Sequence, residues 1–302
     1  MTEESSRAAH PPAVLALLGR GLVDPDTPIA RAADAGLTRG DGCFEGCRVV
    51  TGSDGRARVG KPDAHLARMA HSAAALQIPF DERAWRELVG LAADAWTLPG
   101  EAALKLVLTR GASTADAPTG YAWITPLSPH IPRQRRDGLR IITLERGVRA
   151  DAFATAPWLL GGVKTLSYAI NMAAGREAER RGADDVVFVA ADGTVLEAPT
   201  ATVVWSVGRT LHTTPPELTG ILAGTTQQLL YAAAEASGWR AEYTLGTVAD
   251  LHAADVVWLV SSTRGPVDVV ELDGKSRERV PDVDAQVRRL AGFTIPQRCP
   301  QR

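Results

Sequence analysis

Apolar residues in this chain follow two different periods, and the order in which the periods alternate limits the fold. In "PDAHLARMAHSAAAL", Leu66, Met69, Ala73 and Leu76 recur every three or four residues, the spacing of one buried helical face. "DERAWRELVGLAADAWT" repeats that spacing. Around these helices the pattern is that of strands: "AVLALLGRGLV", the hairpin "GCRVVTGSDGRARVGK" turned at Asp54-Gly55, "EAALKLVLTRG" and "GYAWITPL". A second series opens with "LRIITLERG", a helix from beyond Lys164 to about Arg181, then strands in "DVVFVA", "TVLEAP", "TVVWSV" and "TLHTT". The helix "TTQQLLYAAAEASG" ends at a glycine. Strands in "AEYTL" and "DVVWLVSS", the hairpin "VDVVELDGKSRER" and a last helix from "DVDAQVRRLAGF" complete the chain. Strands come in runs, with helices between only some of them, which predicts an α+β fold rather than a regular βαβ repeat.

A length of 302 residues suggests about two domains. The stretch "PLSPHIPRQRRDG", residues 126–138, concentrates Pro and Arg without an apolar period and reads as their linker. The expected division is a disordered tail at 1–12, a small N-terminal α+β domain at 13–125, and a large C-terminal domain at 139–302. A net charge of -2 argues against a nucleic-acid partner or a polybasic membrane contact. No run approaches the ~18 apolar residues of a membrane span. Of the three cysteines, Cys43 and Cys47 are spaced C-x3-C with no second ligand pair nearby. They read as buried apolar groups, and no metal is expected. The sparse cysteines and a polar start with no apolar h-region predict a cytoplasmic protein.

Only four residues are lysines: Lys61, Lys105, Lys164 and Lys275. Lys275 sits in the turn "LDGKS" and Lys61 in a loop before Pro62, both settings of a solvated amine. Lys105 alternates with Leu104 and Leu106 and should face outward. Lys164 differs, because it follows Gly161-Gly162 and precedes an Ala-rich helix. Glycine lets backbone approach a ligand closely, and a desolvated lysine there loses proton affinity and becomes a usable nucleophile or base. Residue chemistry alone leaves Lys164 open between that role and a structural one.

The motifs "KTLSYAINMAAGREAERRGADDVVFVAADGTVLEAPTATVVW" and "TTPPELTGILAGTTQQLL" resemble the core signature of the class IV aminotransferases, the fold type IV pyridoxal-phosphate enzymes. "RGDGCFEGCR" and "HLARMAHSAAAL" stand in that family's order, and the resemblance covers roughly residues 35 to 275. It implies a two-domain fold with the site between the domains, a pyridoxal 5'-phosphate cofactor and a homodimer. Lys164 matches the lysine that carries the cofactor and moves a proton at the substrate's Cα. Glu197 matches the carboxylate that keeps the pyridine nitrogen protonated. Thr225 and Thr226, at a predicted helix start, match the phosphate cradle. Leu222 would pack on the ring, Arg68 would reach the phosphate, and Ser262 aligns near phosphate and substrate. Tyr168 would lie beside the lysine.

Substrate residues depart from the family's patterns. The D-amino-acid enzymes carry an Arg-x-His pair after "TRG", and a Tyr where this chain has Phe44; "TRGASTADAPTGYAW" has no such pair. Arg48 and Arg264 are then the candidate carboxylate partners, with Thr263 beside the latter. The leading expectation is transamination between a D-amino acid and an α-keto acid. Alternatives are 4-amino-4-deoxychorismate lyase activity and L-branched-chain transamination. A catalytically silent cofactor binder is the rival from another class, against which the intact Lys164/Glu197 pair weighs.

Overall fold

The computed structural model describes residues 12–113, 117–154 and 156–293. The tail expected at 1–12, residue 12 apart, and Cys299 lie outside the described residues. The first unit holds β1 (Val14–Leu17), β2 (Gly21–Val23), the short α1 (Ala35–Arg39), β3 (Gly42–Thr51), β4 (Ala57–Val59), α2 (Pro62–Ala75), α3 (Glu82–Ala95), β5 (Gly100–Thr109) and β6 (Thr119–Pro126). Its six strands form one sheet in the order β2-β1-β6-β5-β3-β4, antiparallel throughout. Alternation decides which side is core. Leu104, Leu106 and Leu108 of β5 are buried with Leu66, Met69 and Ala73 of α2 and with Trp85 and Leu88 of α3. The predicted helical face is therefore the packed one. The opposite side of the sheet carries Phe44, Gly46 and Lys105, and of these Phe44 and Gly46 line the site's cavity.

The second unit holds α4 (His130–Asp137), β7 (Leu139–Glu145), α5 (Ala169–Arg180), β8 (Asp185–Val189), β9 (Thr202–Val207), β10 (Thr210–Thr213), α6 (Pro216–Thr219), α7 (Thr225–Ala236), β11 (Arg240–Tyr243), α8 (Val248–Ala253), β12 (Val256–Ser261), β13 (Gly265–Leu272), β14 (Lys275–Ser276) and α9 (Pro281–Leu290). The sheet runs β11-β10-β9-β12-β13-β7-β8, with β14 beside β13. Its pairs are mixed: β13–β7, β7–β8 and β10–β11 are parallel. Runs of Val in β9 and β12 are buried on both faces, as in a covered sheet.

Two stretches differ locally from their sequence patterns. The stretch 126–138, expected as a linker, carries α4 over most of its length. This helix buries no residue, so it has no apolar period to read. It is tied down by polar contacts instead: Arg135 pairs with Glu101 of the first unit through both carboxylate oxygens, at 3.0 and 2.9 Å, and donates to the carbonyls of Thr263 and Arg264, both at 2.8 Å. The second stretch is "TVLEAP", which forms only isolated bridges: Thr194 with Thr247, Val195 with Val189 and Ala198 with Ala201. Pro199 has no N–H for a ladder, and its carbonyl accepts from Asn171 Nδ2 at 2.8 Å.

Candidate active site

A cavity of about 380 Å³ lies between the two units, walled by Phe44, Gly46 and Arg68 from the first and by Lys164, Glu197 and Thr225 among others from the second. The segment bearing Lys164 is held against β3. Phe44 N–H donates to the Lys164 carbonyl at 3.1 Å, and Leu166 N–H to the Gly42 carbonyl at 2.8 Å. Lys164 N–H donates to Ser72 Oγ of α2 at 3.2 Å. Gly42 makes this approach possible, because a Cβ there would stand 2.5 Å from the Leu108 carbonyl and 2.8 Å from Leu166 Cδ1. The glycine pair before the lysine acts similarly. A Cβ on Gly161 would meet Phe153 at 2.9 Å and Gly220 Cα at 3.0 Å, and Gly162 N–H donates to the Gly220 carbonyl. The close approach is thus between two protein loops.

Lys164 Nζ sits 4.4 Å from the Phe44 ring centroid and donates to Tyr168 Oη at 3.3 Å. Phe44 and Tyr168 meet edge to face at 5.0 Å. Burial in this aromatic corner, and next the positive charge of Arg68, bring the Lys164 ammonium down to about 8 from its ordinary 10.5. Burial, then the charge of Glu197, push the Tyr168 phenol up, so it stays protonated. Glu197 also lines the cavity, and its Oε2 accepts from Leu222 N–H at 3.2 Å. Burial raises its carboxyl above the ordinary carboxylate range. A protonated ring nitrogen set against it would return it to the ionised form.

Thr225, Thr226 and Ser262 bring their hydroxyls together: Thr225 Oγ1 is 2.9 Å and Thr226 Oγ1 3.3 Å from Ser262 Oγ. They stand at the start of α7, whose N-cap Gly224 offers no side-chain cap. The first N–H groups of that helix are therefore free for an anion. Arg68 lines the cavity nearby, held by two hydrogen bonds to Glu45 and one to the Ala223 carbonyl. Lys164, Glu197 and this hydroxyl cluster are the three features pyridoxal phosphate needs: an amine for its carbonyl, a carboxylate for its ring nitrogen and a seat for its phosphate. The residues present fit the group.

Leu222, Tyr168 and Thr263 also line the cavity. Arg48 and Arg264 do not, and this corrects their expected place. Arg48 donates twice to Glu101, at 3.0 and 2.7 Å, and lies on the Phe293 ring. Arg264 is buried against Asp185 at 2.9 Å. Each guanidinium is committed to a carboxylate far along the chain. Residues that sequence reasoning passed over also gather here. Glu45 is fully buried and binds His65 Nδ1 at 2.7 Å as well as Arg68, while His65 Nε2 lies 3.4 Å from Thr225 Oγ1. His65 precedes Arg68 by three residues on α2, a helical spacing that could have flagged it. Arg146 lines the cavity over the Phe188 ring, at 4.7 Å, with no carboxylate paired to it among the described residues.

Comparison with known proteins agrees with this geometry. The profile of amino-transferase class IV matches residues 42–272. The chain is 41% identical over 269 residues to a bifunctional aminodeoxychorismate lyase / D-amino acid transaminase of Mycobacterium tuberculosis, covering 86% of this chain and 91% of that protein. A hypothetical aminotransferase from Mycobacterium tuberculosis, solved in its PLP-bound form, superposes with a TM-score of 0.87 at 40% identity over 93% of this chain and 98% of that one. The fold IV-transaminase of Curtobacterium pusillum superposes with a TM-score of 0.86 at 38% identity, over 94% of this chain and 100% of its own.

Proposed function

The chain belongs to the class IV aminotransferases, which use pyridoxal phosphate, and from that premise we propose that it moves the amino group of a D-amino acid to an α-keto acid. The observation that carries this reading is the convergence of Lys164, Glu197 and the uncapped start of α7 on one cavity. The D configuration is drawn from the bifunctional mycobacterial relative, which is named for a D-amino acid transaminase activity.

Bound pyridoxal phosphate supplies a carbonyl carbon that holds the substrate nitrogen and a ring that accepts the electrons left when the Cα proton departs. The protein's part is positional and acid–base. With its ammonium at about 8, a useful fraction of Lys164 is neutral near that pH and can take the proton from Cα. Tyr168 Oη, accepting from Lys164 Nζ, holds the amine beside the cofactor seat. Glu197 keeps a proton on the ring nitrogen, held in place by the Leu222 amide. Thr225, Thr226 and Ser262 receive the phosphate at the α7 dipole, with Arg68 adding charge. For the substrate carboxylate, Arg146 in the wall and Lys105 at the rim are the available cations. Lys105 is the cross-strand partner of Gly46, where a Cβ would meet nothing, and its Nζ lies 6.0 Å from the Phe44 ring centroid.

We also infer a homodimer working in the cytoplasm. Ile170 and Met172, 60% and 56% exposed, flank Asn171 of the cavity wall, and Trp158, 76% exposed, precedes Leu159 of the same wall. Apolar side chains around a cavity mouth suit a second subunit.

The test mixes the holoenzyme with single D- or L-amino acids, without keto acid, and follows loss of the cofactor's visible absorption. D-Alanine and D-glutamate should convert it rapidly and L-leucine slowly. Conversion by L-leucine alone would favour the branched-chain reading. The lyase reading keeps a specific support, because the same mycobacterial relative is named for that activity first. Aminobenzoate release from aminodeoxychorismate, with no conversion by any amino acid, would make it the principal activity.

A further inference from the structure

Lys61, a loop residue before a proline, shares with Lys275 the sequence setting of a solvated amine. The structure puts it elsewhere. It is the N-cap of α2, half-buried, with φ at 52° in the left-handed region that a non-glycine residue seldom occupies. Its side chain makes no capping bond to its own helix. Instead its ammonium crosses to the second unit and donates to Thr226 Oγ1 at 3.2 Å, a contact spanning 165 residues. Among the described residues no carboxylate pairs with it. The nearby guanidiniums of Arg48 and Arg68 have Glu101 and Glu45 as their own partners. Burial, then the charges of Arg48 and Arg68, bring the Lys61 ammonium down to about 8.

A half-buried cation with a hydroxyl as its partner, beside two other cations, is costly unless an anion joins the group. The anion seat already described is the neighbouring one: Thr226 opens α7, and the free N–H groups of that helix have the same polarity as the lysine. The direction of the contact matters as well. An ammonium has only protons to offer, so it occupies a lone pair of Thr226 Oγ1. The threonine's own proton must then point away from Lys61, towards Ser262 Oγ or into the cavity.

We propose that Lys61 is a positioning residue for the cofactor's phosphate, turning the Thr226 hydroxyl proton towards the phosphate and adding a positive charge behind the cradle. This rests on the reading of the cavity as a pyridoxal-phosphate site. Lys61 does not line the cavity itself and acts through Thr226.

Comparing two ligands tests it. The full chain, freed of cofactor, is titrated with pyridoxal phosphate and with pyridoxal, which lacks the phosphate, in wild type, Lys61→Met and Lys61→Arg. Lys61→Met should weaken pyridoxal phosphate roughly tenfold, the scale of one charge-assisted hydrogen bond, and leave pyridoxal within about twofold. Lys61→Arg should recover most of the loss. An equal loss for both ligands, or no loss for either, overturns the proposal. Thr226→Val adds a second measurement, with Lys61→Gln in place of Lys61→Met where that variant folds poorly. The double variant should lose less than the two single losses added together, because the hydroxyl through which residue 61 acts is gone. Full additivity would overturn action through Thr226. Failure of the wild type to bind pyridoxal phosphate would instead sink the reading of the cavity.

Discussion

Glu45 is a carboxylate with no water left around it, joined to Arg68 and His65 beneath the cavity. Burial pushes its carboxyl up, but hydrogen bonds from Arg68 and His65, with their charge, outweigh that and hold it at about 2, below the ordinary 4.5. A carboxyl held lower in the folded chain than in the unfolded one contributes stability that is complete above the unfolded value. That stability is lost as pH falls through the folded value. The wild type should therefore lose on the order of 3 kcal/mol between about pH 4.5 and pH 2 through this group. Glu45→Gln should lose a comparable amount already at pH 7, because Arg68 keeps its charge without its partner. Its stability should then vary less across the acid range. Urea unfolding at several pH values checks this, and parallel curves for the two proteins would show that another group is responsible. Little of this was legible beforehand. "CFEGC" places Glu45 in an alternating strand but names neither partner, and nothing in "HLARM" tells which carboxylate His65 meets.

At the scale of one element, β3 carries two glycines with opposite duties. Gly42 permits the close approach of the Lys164 segment, and an added methyl would press on the Leu108 carbonyl and Leu166. Gly46 faces open space at the cavity wall. Gly42→Ala should cost about 1–3 kcal/mol through overpacking and weaken the visible absorption of the holoenzyme by displacing Lys164. Gly46→Ala should leave the melting temperature nearly unchanged and raise KM for bulky amino acids. Equal melting temperatures for the two variants would contradict the assignment. Element existence was readable here, since periodicity located β3, α2, α3 and α7. The helix α4 was not, because an element that buries no apolar residue leaves no apolar period.

For the whole molecule, the two units meet at the cavity, and Arg135 ties Glu101 of one to the Thr263–Arg264 turn of the other. The remaining exposed apolar groups at the mouth belong to the proposed dimer. Ile170→Asp combined with Met172→Asp should convert a dimer to a monomer in sedimentation, with loss of turnover but retention of folded far-UV circular dichroism. A monomeric wild type, or a variant that sediments unchanged, would remove that assembly.

Local order in the sequence was enough to determine most of the strands and helices that pack, the α+β class and the lysine that stands apart, because period and turn chemistry act over a few residues. The motifs around Lys164, Glu197 and Thr225 could be recognised for the same reason: each is a short contiguous string. The pairing of charges distant along the chain was decided by tertiary structure alone. Arg48 found Glu101, Arg264 found Asp185, and Lys61 crossed to Thr226. A guanidinium or ammonium carries the same charge wherever it stands, and which oxygen it meets depends on chain closure over tens to hundreds of residues. That is why Arg48 and Arg264 hold the frame, while Lys61, in a loop setting typical of a solvated amine, meets a hydroxyl 165 residues away.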